Sequence, residues 1–436
     1  MELKKYKLRQ LGEFKNGANY PKGSYGEGDK IVNVKDLFRG RFVDEKSLDE
    51  LKPGSLKDKT IYQTQDGDIL FTRSSLVRSG AGMCAMIHEP SQCILFCGFI
   101  IRYRLFNPKE VYPLYLLYLL RSPQYRNLFT GNQQTNITNI NQDSLGEIEV
   151  ALPIDLKGKI DYEKQVQIVS ILDDLDNKIA LNKRINAKLE QVAKRLYDYW
   201  FVQFDFPDKN GKPYKSSGGK MVWNEQLKRE IPERWEVKPI SEMLKCDIAG
   251  DWGEEEKKGN YNYKVNCVRG CDMIDMTSLP TRYILQANSK KLLQADDFII
   301  EISGGSPIQS TGRIVQVTDE IINRFDKKVI CSNFCHGIRI AEKDYISYFL
   351  QMWNMFYENK VFFNFEGKTS GLKNFQFDTF ISQLWVFPPK QLSKQYHEIV
   401  SLNRKQIDKS ESENQKLISL RDCLLPMLMN GQVEVR

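Results

Sequence analysis

The chain holds 436 residues, with 63 Lys and Arg against 56 Asp and Glu, for a formal net charge of +7. Its 41% hydrophobic and 27% charged residues are ordinary for a globular protein, are enough for two or three domain cores, and exclude a disordered or fibrous chain. The mild basic excess permits a nucleic-acid partner without requiring one.

The start, MELKKYKLRQLGEF, has charge but no apolar core segment, so it is not a secretory signal. Residues 1–153 read as mixed α/β structure. Lys30 to Val34 is a strand, and Asp66-Gly67-Asp68 is a turn entering the strand Ile69 to Thr72. Cys93 to Leu105 (CILFCGFIIRYRL) predicts one long, buried strand. Tyr112 to Phe129 has apolar residues at helical spacing, among them Leu116, Leu117 and Leu120. The longest apolar run, Val111 to Leu120, contains Pro113 and cannot span a bilayer, so a cytoplasmic location is expected. Gly131 to Asn141 is a polar loop rich in amide side chains, and Leu145 to Leu152 is a closing strand that Pro153 ends.

Gln165 to Tyr199 contains no Gly and no Pro, so nothing in it stops a helix. Ile168, Leu172, Leu175, Ile179, Asn182, Asn186, Leu189, Ala193 and Leu196 alternate at spacings of four and three, which is the seam of a coiled coil. At about 1.5 Å per residue the helix is on the order of 50 Å long. The two Asn in the seam cost stability but can fix register.

Residues Trp200 to Lys228 follow, with PDKNGKPYKSSGGK at their centre, a composition that predicts a linker or extended loop. Trp200, Phe201, Phe204 and Phe206 are expected to pack against the helix end rather than stack on bases. A second globular stretch opens at Ile231-Pro232 and repeats the first in outline. Asp296-Asp297 precedes the strand Phe298 to Glu301. Ser303-Gly304-Gly305-Ser306 answers Arg73 to Ser75 and the turn Ser79 to Gly82. Cys331 to Ile340 answers Cys93 to Arg104, including the Cys-x3-Cys spacing. Tyr345 to Asn359 is the second apolar helix, Gly367 to Asn374 a loop in place of the amide loop, and Leu384 to Pro388 the closing strand. The seam then returns: sliding the chain on itself puts Leu172 on Val400, Ile179 on Ile407, Asn182 on Ser410, Asn186 on Asn414 and Leu189 on Leu417. The order is domain, long helix, domain, long helix, with the two helices expected to pair.

Nine Cys without an export signal argue for reduced thiols. None forms CxxC, the three His are scattered, and Cys335-His336 is the one adjacent pair of soft ligands, so the thiols read as small buried hydrophobes rather than a zinc site. Gly367-Lys368-Thr369 resembles the end of a P-loop, but Phe362 stands where the first Gly belongs. Glu255-Glu256-Lys257 has a nuclease-like spacing with no placed Asp partner, and no Asn/Asp-Pro-Pro-aromatic tetrapeptide of adenine methyltransferases occurs.

The helix runs at 163–191 and 394–425, together with YDYWFVQFDFPDKNGKPYKSSGGKMVWNEQLKREIPERWEV at 197–237, resemble the specificity subunit of type I restriction–modification systems. The chain departs from that pattern where Ile154 to Tyr162 is inserted before the first helix and where FPPKQLSKQ opens the second. The resemblance implies an α+β fold of two pseudo-repeated α/β target-recognition domains separated by two long helices, paired as an antiparallel coiled coil. The domains would be residues 1–153 and 231–388, with spacer-helix regions at 154–202 and 389–436 and a linker at 203–230.

It further implies a non-enzymatic subunit that binds a bipartite double-stranded DNA target, one domain per half-site. Its partners would be two modification (methyltransferase) subunits and restriction (translocase/endonuclease) subunits, which would hold S-adenosylmethionine, ATP and Mg. The alternatives are a stand-alone nuclease or methylase with an unrecognised site, which would turn over as the purified chain, and a coiled-coil scaffold with no DNA role. Groove readout favours Arg on guanine and Asn or Gln on adenine, with cations on phosphates. The candidate DNA-binding residues are Arg39, Arg41, Arg73, Ser74, Ser75, Arg78, Asn132, Gln133, Gln134, Thr135 and Asn136 in the first repeat. In the second they are Gln309, Ser310, Arg313, Lys368, Thr369, Ser370, Lys373 and Asn374.

Overall fold

The computed structural model describes residues 1–21, 23–75, 80–130, 138–274, 276–304, 306, 308–369, 372–433 and 435. The chain divides into two compact units, Met1–Ile179 with Leu417–Arg436, and Ala180–Lys416, so each unit carries a stretch of both long helices.

In chain order the first unit contains β1 (Glu2–Lys7), α1 (Leu8–Leu11), β2 (Gly12–Asn16), β3 (Tyr25–Val32), β4 (Asp49–Leu51) and β5 (Ile69–Thr72). Then come β6 (Ser74–Ser75), β7 (Cys84–Met86), β8 (Ile94–Phe96), β9 (Ile100–Leu105), α2 (Pro113–Arg121) and α3 (Pro123–Thr130). β10 (Thr138–Asn139), α4 (Gln142–Gly146), β11 (Glu149–Ile154) and the start of α5 (Tyr162–Tyr197) complete it. The strands form the orders β2-β9-β5-β7, β4-β3-β8, β1-β11 and β10-β6. β5 lies between two apolar layers, which is why its run Ile-Leu-Phe is unbroken. Ile69 and Phe71 join the layer of α2, while Leu70 joins Ile31, Val32 and Leu95 on the other face. Leu114 to Leu120 of α2 are all buried, as expected of a helix apolar on every side.

Three expected boundaries are corrected here. Cys93 to Leu105 is two strands: β8 runs parallel to β3, whereas β9 runs antiparallel to β2 and β5. The turn between them carries the chain from one sheet to the other, and an apolar run cannot show it because both sides of the break are buried. The first apolar helix, expected over Tyr112 to Phe129, breaks at Ser122, held extended (ψ 151°) before Pro123. Leu145 belongs to α4, and the closing strand runs through Pro153, which faces Leu3 in a two-stranded pair.

The second unit opens with the end of α5 and contains β12 (Met221–Asn224), β13 (Arg229–Pro232), β14 (Glu236–Pro239), β15 (Leu244–Ala249) and β16 (Tyr261–Val268). It continues with β17 (Thr281–Leu285), β18 (Phe298–Glu301), β19 (Ser303–Gly304), β20 (Ile314–Gln316), α6 (Asp319–Arg324), β21 (Val329–Cys331) and β22 (Cys335–Ile340). α7 (Ile346–Glu358), β23 (Glu366–Thr369), β24 (Leu372–Phe375), α8 (Phe377–Ile381), β25 (Leu384–Phe387) and most of α9 (Lys390–Met429) follow.

The topology of the first unit returns strand for strand. β14-β25 answers β1-β11, β15-β22-β18-β20 answers β2-β9-β5-β7, and β17-β16-β21 answers β4-β3-β8, with the third strand parallel in both. Registers fix the equivalences. Val32 pairs with Phe96 as Val268 pairs with Cys331, and Thr72 pairs with Ile100 as Glu301 pairs with Cys335. Cys331 and Cys335 therefore stand where Phe96 and Ile100 stand, and the two Cys-x3-Cys spacings do not superpose. Gly367 to Thr369 and Leu372 to Asn374, expected as a loop, are paired strands of β23 and β24.

A buried ion pair recurs under both halves. Asp68 accepts two bonds of 2.7 Å from Arg104, and Asp297 accepts two of 2.7 Å from Arg339. Each carboxylate also caps its own turn, accepting from the amides of Gln65 and Gln294.

The stretch expected as a linker is folded onto the second unit. Tyr214 stacks on Phe206 at 4.6 Å and Phe206 on Trp235 at 5.6 Å, while Asp205 accepts from the Ser216 amide and hydroxyl. Trp200, Phe201 and Phe204 are buried in the same aromatic core as Tyr348 and Tyr396.

The long helices run antiparallel within each unit. In the first, Ile168 and Leu172 share a core with Leu425 and Leu428, and Asp176 pairs with Arg421 at 2.8 Å. In the second, the Asn182 amide donates to Asn414 at 3.0 Å, while the Tyr396 hydroxyl donates to the Ala193 carbonyl at 2.9 Å. The polar centre of the seam is thus an Asn–Asn hydrogen bond that only one register satisfies.

Candidate nucleic-acid interface

β5 and β18, the central strands of the two repeats, both end in a turn that pairs with a distant loop. In the first repeat Ser75 lies opposite Thr138 and Ser74 opposite Asn139, and the Ile140 amide donates to the Arg73 carbonyl at 2.8 Å. The turn at Arg73 to Ser75 is thereby joined to the end of the amide-rich segment. In the second repeat Ser303 lies opposite Asn374 and Gly304 opposite Lys373, and the Phe375 amide donates to the Ile302 carbonyl at 2.8 Å. Two chain segments that the sequence separates are brought side by side twice, by the same backbone bonds.

The side chains on these platforms differ. Arg73 is exposed, with one guanidinium nitrogen 3.5 Å from the Gly98 carbonyl. Gln309 and Asn374 are exposed, and the Ser303 hydroxyl donates to the Asn374 carboxamide oxygen at 2.9 Å. Backbone positions of Lys368 and Thr369 lie in β23, opposite Lys373 and Leu372. Their side chains and that of Ser75, together with Arg78, Asn132, Gln133, Gln134, Thr135, Asn136 and Ser370, lie outside the described residues.

Four expected DNA contacts are corrected. Arg41 donates to Tyr118, to Asp176 at 3.1 Å and to Asn177 at 2.8 Å, and pairs with Asp173 at 2.7 Å. Its side chain is 15% exposed, so it ties its loop to α5 instead of facing solvent. Arg313 grips Glu301 through two nitrogens at 2.8 and 3.0 Å and the Gly270 carbonyl at 2.9 Å, and Glu301 holds the guanidinium pKa above its usual range. Lys373 is paired with Glu366 at 3.1 Å, donates to the Gln309 carbonyl, and lies over the Phe363 ring. Ser310 is buried. The three cations are thus claimed by carboxylates of the chain itself, and Ser310 is withdrawn by burial.

Arg39 remains 42% exposed, with Asp36 only at 3.7 Å. Its loop is not beside Arg73, however. Arg41 accepts through its carbonyl from Met86, which pairs with Ile69 at the opposite end of β5.

Residues 1–191 match the family described as Type I restriction modification DNA specificity domain. Over 98% of its length the chain is 25% identical to the type I restriction enzyme MjaIX specificity subunit of Methanocaldococcus jannaschii, and the match spans 93% of that protein. It is 23% identical to the type I restriction enzyme HindI specificity subunit of Haemophilus influenzae, over 92% of this chain and 94% of the relative. The crystal structure of the type I restriction–modification S subunit from M. genitalium shares the fold, with a TM-score of 0.56 at 15% identity over 98% of this chain and 96% of that one.

The first 191 residues thus match that domain family, and nearly the whole chain is similar to type I restriction enzyme specificity subunits.

Similarity to specificity subunits directs attention to the features that present side chains outward. Among the described residues no group of His, Cys, Asp and Glu could hold a metal, and no helix is long and apolar enough to cross a membrane. Sequence reasoning missed the carboxylates Glu301 and Glu366, which organise the second platform: Glu366 also accepts from the Thr311 amide and hydroxyl. It also missed Ser303. The signal for Ser303 was present, since its turn had been matched to Arg73 to Ser75, but nothing local marks a carboxylate as the partner of a particular distant cation.

Proposed function

We propose that this chain is a type I specificity subunit that binds double-stranded DNA at a bipartite target, with one α/β repeat for each half-site. Residues 1–153 and 231–388 are the two target-recognition domains, and the helix regions 154–202 and 389–436 act as the spacer, with 203–230 joining them. Two modification subunits and the restriction subunits dock on this chain, and S-adenosylmethionine, ATP and Mg belong to those partners.

The observation that carries the reading is the pair of platforms. The same turn pairs with a distant segment in both repeats, by equivalent backbone bonds. A device duplicated in topology but furnished with different side chains is what two half-sites of different sequence call for. The furnishings suit groove readout: exposed Arg73 and Arg39 can meet phosphate or guanine, and Gln309 and Asn374 can meet adenine edges. The segments holding Arg78, Asn132, Gln133, Gln134, Thr135, Asn136 and Ser370, with Ser74, Ser75, Lys368 and Thr369 at their roots, are the remaining candidates.

The test has two parts. Affinity for duplex DNA, measured over a range of salt, should fall steeply as salt rises, because each neutralised phosphate releases counterions. Mapping methylated adenines in DNA exposed to the chain with its modification subunit should return two short specific blocks separated by an unspecified gap. Salt-independent binding, or methylation at one uninterrupted block, would overturn the proposal.

A further inference from the structure

Phe99 and Phe334 are large aromatics that neither core uses: they are 63% and 46% exposed. They occupy the same place in the two repeats. Cys97-Gly98-Phe99-Ile100 is a tight turn closed by the Ile100 amide donating to the Cys97 carbonyl at 2.9 Å. Ser332-Asn333-Phe334-Cys335 is closed in the same way, by the Cys335 amide on the Ser332 carbonyl at 2.9 Å. Each Phe is the third residue of its turn.

Both turns are pinned from two sides. On one side the Phe99 carbonyl accepts from the Arg73 amide at 2.8 Å, and the Phe334 carbonyl accepts from Ile302 at 2.9 Å and Ser303 at 3.2 Å. Each ring is therefore anchored directly to the platform turn of its own repeat. On the other side Gly17 and Gly250 pass so close that a Cβ on them would lie 2.1 Å from the Cys97 carbonyl oxygen and 1.9 Å from that of Ser332. The turns cannot relax toward the core, so the rings are held outward on a rigid support. Preorganisation of this kind lowers the cost of ordering a contact.

We propose that Phe99 and Phe334 are base-contacting residues, each pressing an apolar ring against a base of its own half-site in duplex DNA. The inference rests on the DNA-binding reading and adds to it the residues that read apolar base surface. DNA offers that surface in two forms: the thymine methyl in the major groove, and base faces exposed when a step is partly unstacked. Polar groups beside each ring suit the surroundings of such a contact, Arg73 in the first repeat and Ser303 with Asn374 in the second.

The experiment uses the full chain assembled with its modification subunit, carrying Phe99→Ala, Phe334→Ala, or Leu at either position. The probes are a duplex of the sequence at which the wild-type complex methylates, and a random duplex of equal length. Both rings are exposed, so thermal unfolding of the variants should match wild type. Each Ala variant should weaken cognate binding by about tenfold, leave random-duplex binding and the salt slope unchanged, and relax base preference in one half-site only. Leu should restore part of the loss.

An effect that vanishes when uracil replaces thymine assigns the methyl contact, and 2-aminopurine brightening that needs the ring assigns unstacking; either supports the inference. Ala variants that bind and discriminate like wild type would overturn it, as would equal losses on cognate and random duplexes. A wild-type complex with no preference among duplexes would overturn the DNA-binding reading itself.

Discussion

The two repeats agree in their inner strands and differ at their outer edge. Both place the β5 or β18 strand between two apolar layers, and both fix its entry with a buried Asp–Arg pair. At the platforms they part. Among the described residues the first repeat pairs two short strands and leaves Arg73 exposed. The second adds β23 to make three strands, and ties Arg313 and Lys373 to Glu301 and Glu366. The shared framework keeps its central charges paired and its layers filled, whereas the two platforms differ in strands and in charge pairing.

The largest effect that could break this comparison is a domain exchange. Replacing residues 1–153 with the corresponding domain of a relative should change one half-site completely and leave the other as it was. Mapping methylated adenines reads the result, and a change in both half-sites would show that the repeats are not separate readers.

The shared framework is sharpened by Asp68→Ala and Asp297→Ala. Each leaves a partly buried guanidinium without its carboxylate and should cost about 3 kcal/mol. Urea unfolding of the full chain would measure both, and a large inequality would mean that the two frameworks are not built alike.

The platforms should respond unequally to loss of a cation. Arg73→Ala should weaken binding on any duplex and reduce the salt slope by about 1, with little change in stability. Arg313→Ala should instead lower stability by about 1–3 kcal/mol, since Glu301 is left unpaired, and change the salt slope little. Binding titrations at several salt concentrations, beside melting curves, separate the two outcomes.

The smallest effect concerns the thiols. Burial pushes Cys84 and Cys335 up to about 11 and Cys267 up to about 12, whereas Cys246, Cys271 and Cys423 are exposed. Brief alkylation of the native chain, read by peptide mass, should label the exposed three and spare the buried ones. Equal labelling would show that the two cores open more readily than their packing indicates.

Local periodicity carried much of this protein. The seam from Ile168 to Leu196, the strands at Ile69 and Phe298, and the alternation of globular stretch and helix were all legible, because a strand or helix writes its period into neighbouring residues. The candidate site was legible only in part. Arg73, Gln309 and Asn374 lie on the platforms, but Arg41, Arg313 and Lys373 look the same in sequence and face inward. Only the tertiary structure decided which cations meet a distant carboxylate, because Asp176 lies 135 residues along the chain from Arg41. It alone broke the apolar run at Gly98, where the chain passes between sheets and the strands on both sides are buried. It also set the register that places Phe99 on Phe334, since equivalence between repeats follows the pairing of backbones, and a shared Cys spacing does not report that.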